Sequence, residues 1–158
     1  MRTIRVETEL PTDADRVWDA LRYPSTFLYV CRGLLGFPAL AGRSSPMVAG
    51  ERGSGWLLLF HVLPLTRHTI EVREVDPATM TIRTHEHDHL VQTWDHTLRV
   101  TPAAPGRCRY SDTVDIEAGR LTPLVALFGV AIYRYRHRRW RKLVRRHLTA
   151  PGDLAATA

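Results

Sequence analysis

The stretch that decides the fold is residues 122–148, TPLVALFGVAIYRYRHRRWRKLVRRHL, which predicts one long helix late in the chain. Thr122 is a good helix N-cap, and the proline after it suits the first helical position. A helix that starts there and runs to about Leu148 would be about 39 Å long at the usual rise per residue. Its first half, from Leu124 to Tyr133, is apolar on nearly all sides, as expected for a helix packed against a sheet.

Most of the chain before this helix is divided into strands by turn signals. Residues 4–10 alternate apolar and polar side chains, as in a half-buried strand. Two short helices are predicted next, one capped by Thr12 and one by Ser25 or Thr26. Residues 36–55, rich in glycine, proline and serine, are predicted as a loop, with a strand near residues 34–40. Further strands are predicted over residues 56–62, 68–75, 80–86, 90–100 and 108–117.

The composition is that of a single globular domain. The 158 residues are 44% hydrophobic and 24% charged, which excludes a disordered or fibrous protein. The longest apolar run, from Leu121 to Tyr133, covers 13 residues, whereas a membrane-spanning helix needs about 20. Two cysteines are too few for a disulfide framework, and the N-terminus has no signal-peptide core. We expect one domain over residues 1–149, a disordered tail over residues 150–158 and a cytoplasmic location.

The order of elements predicts an α+β fold: a strand, two short helices, a run of antiparallel strands and one long helix. This order resembles that of the helix-grip, START-like (SRPBCC) superfamily, which includes Bet v 1 allergens, polyketide cyclases and lipid-transfer domains. The opening IRVETELPTDADRVWDAL is similar to the first strand and helix of that superfamily, and WDHTL, YSDTVDI and YRYRHRRWRKL resemble its late strands and final helix. The resemblance implies a curved antiparallel sheet of about six to seven strands, wrapped around the long C-terminal helix.

The resemblance also implies a class of function. Members of the superfamily hold a hydrophobic small molecule in a cavity between sheet and helix, and they include both binding proteins and enzymes. The leading hypothesis is that this chain binds a hydrophobic or aromatic molecule, polyketide- or lipid-like, in such a cavity. The alternative is a cyclase, aromatase or dehydratase acting on a polyketide-like substrate. Neither hypothesis requires a cofactor.

Two polar residues, His96 and Asp112, lie on otherwise apolar faces of the last two predicted strands, so both should point inward. If the hairpin turns midway between these strands, Leu98 faces Asp112, and His96 lies diagonally opposite, about 7–8 Å away at the backbone. A carboxylate within reach would raise the pKa of the imidazole and create an acid–base pair. In an enzyme, Tyr110 or Trp94 would then orient the substrate. The alternative is a buried hydrogen-bonded pair with a structural role.

The residues expected to bind the ligand come from the strands, the second short helix and the first half of the long helix. The loop over residues 36–55 should line the entrance, because its five glycines favour motion and its apolar residues Phe37, Leu40 and Met47 can cap an opening. The predicted ligand-binding residues are Phe27, Trp56, Leu58, Phe60, His68, Ile70, Trp94, Leu98, Tyr110, Val114, Leu124, Phe128 and Ile132.

Three histidines, His85, His87 and His89, alternate along the chain. On a straight strand they would share one face, and zinc accepts such ligands. The strand pattern breaks at this point, however, so we interpret them as exposed turn histidines and predict no metal site.

The second half of the long helix is strongly basic. Between Arg134 and Arg146 there are eight arginines and lysines and no acid, which accounts for the net charge of +6. Such a segment could bind an anionic membrane surface, with nucleic acid as a less favoured partner. We favour a solvated helix end whose arginines cover apolar surface and complement the helix dipole.

Overall fold

The computed structural model describes residues 1–148, which form seven strands, three α-helices and shorter helical turns. The strands are β1 (Arg2–Leu10), β2 (Leu35–Gly36), β3 (Arg52–Leu59), β4 (Leu63–Asp76), β5 (Thr81–His87), β6 (Thr93–Ala104) and β7 (Arg107–Glu117). The helices are α1 (Ala14–Leu21), α2 (Pro24–Cys31) and α3 (Thr122–Leu143), and a π-helical turn over Val144–Leu148 continues α3. Single 3₁₀ turns cover Pro38–Leu40 and Gly119–Leu121. The tail predicted over residues 150–158 lies outside the described residues.

The strands form one antiparallel sheet in the order β1-β7-β6-β5-β4-β3-β2. The sheet is curled into a half-barrel with α3 against its concave side, which confirms the predicted α+β helix-grip fold. The register between β6 and β7 is also the predicted one, because Leu98 pairs with Asp112 and Val100 pairs with Tyr110. This register brings polar side chains of the two strands together inside the fold.

The two short helices follow the predicted pattern with different caps. In α1 the predicted apolar face is buried. Thr12 does not cap this helix, because its hydroxyl donates to the carbonyl of Leu148 at 3.0 Å and so ties the end of the long helix to the connection between β1 and α1. Asp13 occupies the N-cap position instead, and its carboxylate accepts a hydrogen bond from the backbone of Gly106. The second helix begins at Pro24 rather than after Ser25.

The predicted loop over residues 36–55 is shorter in the structure. Residues 52–55 belong to β3 and pair with β4, so the prediction of a loop there was wrong. Gly55 allows the connecting segment to pack closely on β3, since a Cβ at this position would lie 2.6 Å from the Cβ of Ala39. The absence of a side chain therefore lets the 3₁₀ turn over Pro38–Leu40 lie directly on the strand. The strand expected near residues 34–40 is reduced to the two residues of β2.

The first half of α3 packs closely on the sheet. A Cβ at Gly129 would lie 2.9 Å from Ile4 Cδ1 and 3.1 Å from the ring of Trp94, so helix and sheet are in direct contact there. The helix face turned away from this contact is open to solvent, and Leu124 and Phe128 are 65% and 43% exposed. No described helix is long and apolar enough to cross a membrane.

Candidate functional site

A cavity of about 250 Å³ lies between strands β3 to β6, α2 and the segment that connects α2 to β3. Most of its wall is apolar. The more buried polar groups of the wall are His68, Thr84, Glu86, His96 and Arg136, and the more exposed ones are Arg43, Glu51, Arg52 and Ser54. The apolar wall includes Phe27, Phe37, Met47, Trp56, Ile70 and Leu98.

Only some of the predicted ligand-binding residues line this cavity. Phe27, Trp56, His68, Ile70 and Leu98 do so, as does His96. Among the others, Trp94, Tyr110, Val114 and Ile132 are packed in the core, whereas Leu58, Phe60, Leu124 and Phe128 lie elsewhere on the fold.

The reason for these differences is the direct contact at Gly129, which leaves no space between the first half of α3 and the strands below it. The cavity is therefore displaced towards β3, β4 and α2. For Leu58 and Phe60 the cause is local: the pairing of β3 with β4 shifts between Leu57 and Leu58, and such a bulge ends the simple alternation that placed them beside Trp56. Phe60 lies at the following turn with a positive φ of 51° and is 59% exposed.

The loop that connects α2 to β3 contributes Phe37, Leu40 and Met47 to the wall, as predicted for the entrance. Phe37 contacts Phe27 of α2 edge-on, with ring centroids 4.8 Å apart. The loop is anchored by a hydrogen bond from the backbone of Met47 to that of Arg22 at 2.8 Å and by an ion pair between Arg43 and Glu51.

The predicted pair of His96 and Asp112 forms the centre of a buried polar network. His96 Nε2 lies 2.6 Å from Asp112 Oδ1, and the hydroxyl of Tyr110 donates to the same oxygen at 2.9 Å. His137, on α3, places its Nε2 2.7 Å from Asp112 Oδ2. His137 was not among the residues predicted from the sequence, although Tyr133, His137 and Trp140 recur at the spacing of one helix face.

A second part of the network reaches the cavity wall. Glu86 lies between two histidines, with His68 Nε2 2.9 Å and His96 Nδ1 3.6 Å from its carboxylate oxygens. Thr84 donates a hydrogen bond to Glu86 at 2.7 Å. The other ring nitrogen of His68 lies 3.1 Å from Asp88, whose second oxygen caps the turn that follows β5. Three carboxylates therefore alternate with three histidines from Asp88 to His137.

The contacts within the network lower the pKa values of its carboxylates and raise those of His68 and His96, which favours the ionised form of each. Burial alone would raise the pKa of Asp112, but the charge of Arg136 and hydrogen bonds to the histidines hold this pKa far below its usual range. Contacts with histidines likewise outweigh burial and lower the pKa of Glu86. Burial opposes the charge of His68, but its two carboxylate partners raise its pKa to about 9. The pKa of His96 is raised for the same reason.

Arg136 differs from the other polar groups of the wall. It is 5% exposed, and its guanidinium lies 5.3 Å from the ring centre of Phe27 and 4.9 Å from that of Tyr133. It makes no hydrogen bond or ion pair with any of residues 1–148, and its Nε is buried without a partner. Burial opposes its charge, but Asp112 outweighs this effect and keeps the pKa of Arg136 above its ordinary value.

Of the three alternating histidines, His85 and His87 are half-buried members of β5, so the interpretation of these two as exposed turn histidines was wrong. His85 is paired with Asp95 on the outer face of the sheet, its ring 5.6 Å from that of His87, and His89 is exposed in the turn. Within residues 1–148, no group of three histidine, cysteine or acidic side chains is placed to hold a metal ion.

The basic helix end is only partly solvated. Arg134, Arg138 and Arg141 are exposed, as expected, whereas Arg136 and His137 are buried and belong to the site. Binding of an anionic membrane surface or of nucleic acid through this segment stays a prediction.

Comparison with solved structures shows the same fold in proteins of low sequence identity. Norcoclaurine synthase from Thalictrum flavum, in complex with dopamine and hydroxybenzaldehyde, aligns over 94% of this chain and 89% of its own, with 15% identity and a TM-score of 0.68. A START superfamily protein from Mycobacterium smegmatis aligns over 90% and 97%, with 12% identity and a TM-score of 0.67. DynU16, a protein of the dynemicin biosynthetic locus, aligns over 91% of this chain but 47% of its own, with 18% identity and a TM-score of 0.63. These structural alignments show that the chain has a START-like fold.

Comparison of the sequence with family models gives a match over more than half of the chain. A family model described as "Domain of unknown function (DUF8410)" matches residues 38–144, which include the cavity's polar groups and most of its wall. No curated protein sequence matches the chain.

Proposed function

Since this chain belongs to the DUF8410 family, whose description names no activity, we propose its function from the cavity: it binds a hydrophobic or aromatic small molecule between the sheet and the C-terminal helix. The observation that carries the proposal is an apolar-walled cavity in the part of the fold where helix and sheet are not in contact. Ligand sites are typically concave, mostly apolar and equipped with a few polar groups at one side. This cavity has that composition.

The size of the cavity favours a small ligand. Its volume of about 250 Å³ is slightly below the roughly 300–1,000 Å³ of most small-molecule sites. Norcoclaurine synthase, which has the same fold, holds two small aromatic molecules, dopamine and hydroxybenzaldehyde. Phe27 and Phe37 offer aromatic surface at the cavity wall, which suits a ligand with one or two rings.

The entrance supports the same proposal. Trp56 lies in the wall and is 56% exposed, so part of the apolar surface is reachable from solvent. The connecting segment beside it contains Gly42 and Gly50, both with positive φ, and it has no regular structure between the 3₁₀ turn and β3. Such a segment can open once the Met47–Arg22 hydrogen bond and the Arg43–Glu51 ion pair are released.

The test is binding of N-phenyl-1-naphthylamine, a neutral aromatic probe whose fluorescence rises in apolar sites. Ile70→Trp fills the cavity from β4, and Leu124→Trp adds the same ring at an exposed site that does not line the cavity. We expect the wild type and the Leu124 variant to bind the probe, and the Ile70 variant to bind at least about tenfold more weakly, a loss of about 1.4 kcal/mol. Equal affinities in all three proteins would contradict the proposal. Native mass spectrometry of the purified protein would identify a co-purified ligand.

A second candidate is an enzyme of the cyclase, aromatase or dehydratase type, with His96 and Asp112 as acid–base groups. The observation that favours it is that His96 lies in the cavity wall and is bonded to a buried carboxylate. Against it, both ring nitrogens of His96 already face carboxylates, those of Asp112 and Glu86, so neither nitrogen is free to exchange a proton with a ligand.

This candidate is tested by incubating the protein with a linear poly-β-ketone and following the loss of one water by mass spectrometry. An acid–base enzyme would lose roughly 10²–10⁴ in rate on His96→Asn, whereas a binding protein would keep most of its affinity for the naphthylamine probe. No turnover by the wild type would contradict the enzyme candidate and leave the binding proposal intact.

A further inference from the structure

The guanidinium of Arg136 is the one buried cation of the described cavity wall that has no hydrogen-bond partner. The other charged groups of the wall are all paired among residues 1–148. His68 and His96 contact Glu86, and at the mouth of the cavity Arg43 and Arg52 are paired with Glu51 and Glu71.

A buried arginine without a partner is unusual. Arginine carries five N–H donors, and burial without acceptors for them is costly. The rings of Phe27 and Tyr133, at 5.3 and 4.9 Å from the guanidinium carbon, attract its charge through their faces. These rings accept no N–H bond from the edge of the guanidinium plane, so Nε stays buried without an acceptor, and the terminal nitrogens bond to none of residues 1–148.

Asp112 is the obvious candidate partner, but its oxygens are occupied. One accepts from Tyr110 and lies against His96, and the other lies against His137. No nitrogen of Arg136 comes within 4.0 Å of this carboxylate, the limit for an ion pair. Asp112 therefore favours the charge of Arg136 at longer range and leaves its donors available.

We propose that Arg136 is the head-group receptor of the cavity and that the ligand is a small carboxylic acid, bound as the carboxylate with its apolar body along Ile70 and Leu98. The inference rests on the proposed binding function. A guanidinium and a carboxylate form two parallel hydrogen bonds in one plane, and the two aromatic rings beside Arg136 restrict that plane. A carboxylate matches a single arginine better than a phosphate dianion, which carries more charge and needs more donors.

The test compares two ligands of one shape, 2-naphthoate and its neutral methyl ester, by displacement of N-phenyl-1-naphthylamine at about pH 7. The wild type should bind the carboxylate at least about tenfold more tightly than the ester. Arg136→Met should reduce this preference to less than about threefold. Arg139→Met is the matched control, because Arg139 also lies on α3 over an aromatic ring, that of Tyr29, but bonds to a backbone carbonyl and does not line the cavity.

The outcomes separate the two proposals. If the ester binds as tightly as the carboxylate to the wild type, the cavity binds ligands and the inference about Arg136 is overturned. If the preference survives in Arg136→Met, another group recognises the carboxylate, which also overturns it. The wild-type comparison needs no variant, so it decides the inference even if Arg136→Met fails to fold. If neither naphthalene compound nor the fluorescent probe binds, the proposed function fails and the inference fails with it.

Discussion

Replacing His68 by glutamine should remove a large part of the pH dependence of stability on the alkaline side of neutrality. His68 is 9% exposed, and its two ring nitrogens lie 2.9 Å from Glu86 and 3.1 Å from Asp88. These contacts raise the pKa of His68 from 6.5 to about 9 against the effect of burial. The folded protein therefore holds a proton on His68 that the unfolded chain releases near neutrality.

The sign and the size of the effect follow from this difference. Because the pKa of His68 is higher in the folded state, its contribution to the free energy of unfolding is fully present below about pH 6.5 and is lost as the pH rises through about 9. The contribution amounts to about 3 kcal/mol, from the standard conversion of a pKa difference into free energy. Glutamine cannot take up this proton, so Asp88 should lose its charged partner and Glu86 should keep only the more distant His96.

The assay is urea unfolding followed by tryptophan fluorescence at about pH 6, 7.5 and 9.5. We expect the wild type to exceed His68→Gln in free energy of unfolding at about pH 6, and the gap to shrink by about 3 kcal/mol by about pH 9.5. His85→Gln is the control, because His85 pairs with Asp95 at the surface, outside the network. A gap between wild type and His68→Gln that stays constant over this pH range would refute the reasoning.

Three further changes test packing and the entrance. Tyr110→Phe removes the hydroxyl that donates to Asp112 and should lower the free energy of unfolding by about 1–3 kcal/mol, measured by urea titration; no loss would show that the carboxylate does not need this donor. Gly129→Val places atoms where Ile4 and Trp94 already lie and should cost about 1–3 kcal/mol in the same assay; a variant as stable as the wild type would contradict the close contact of helix and sheet. Saturating 2-naphthoate should slow hydrogen exchange in residues 42–55, and unchanged protection there would show that this segment does not close over the ligand.

Strand alternation in the sequence was enough to predict that His96 and Asp112 meet inside the fold. A residue's side of a strand depends only on its position, and the register of a hairpin depends on its turn. His96 and Asp112 could therefore be placed on inward faces and near one another, and the structure has them in contact at 2.6 Å. Helical periodicity likewise predicted the buried face of α1, and the Thr122–Pro123 pair predicted where α3 begins.

The identity of the cavity-lining residues could not be predicted in the same way. The first half of α3 is apolar on nearly all sides, so its sequence does not say which side meets the sheet. That choice depends on shape: Gly129 lets the helix approach Ile4 and Trp94, which leaves Leu124 and Phe128 outside and moves the cavity towards β3 and β4. Close contact between distant segments is a property of the packed fold and leaves no periodic signal.

The charged half of α3 shows more clearly which properties follow from the sequence and which depend on tertiary packing. The sequence by itself determined that a basic helix would follow the strands, that two strands would bring a histidine and a carboxylate inward, and that the fold would be α+β. The helix-grip form of this fold was implied by the resemblance to the START-like superfamily. Only the tertiary structure decided that Arg136 and His137, two members of a run interpreted as solvated, are buried beside Asp112. The reason is that the cost of burying a charge depends on the groups around it, and here those groups come from α2, β6 and β7, far away in the chain.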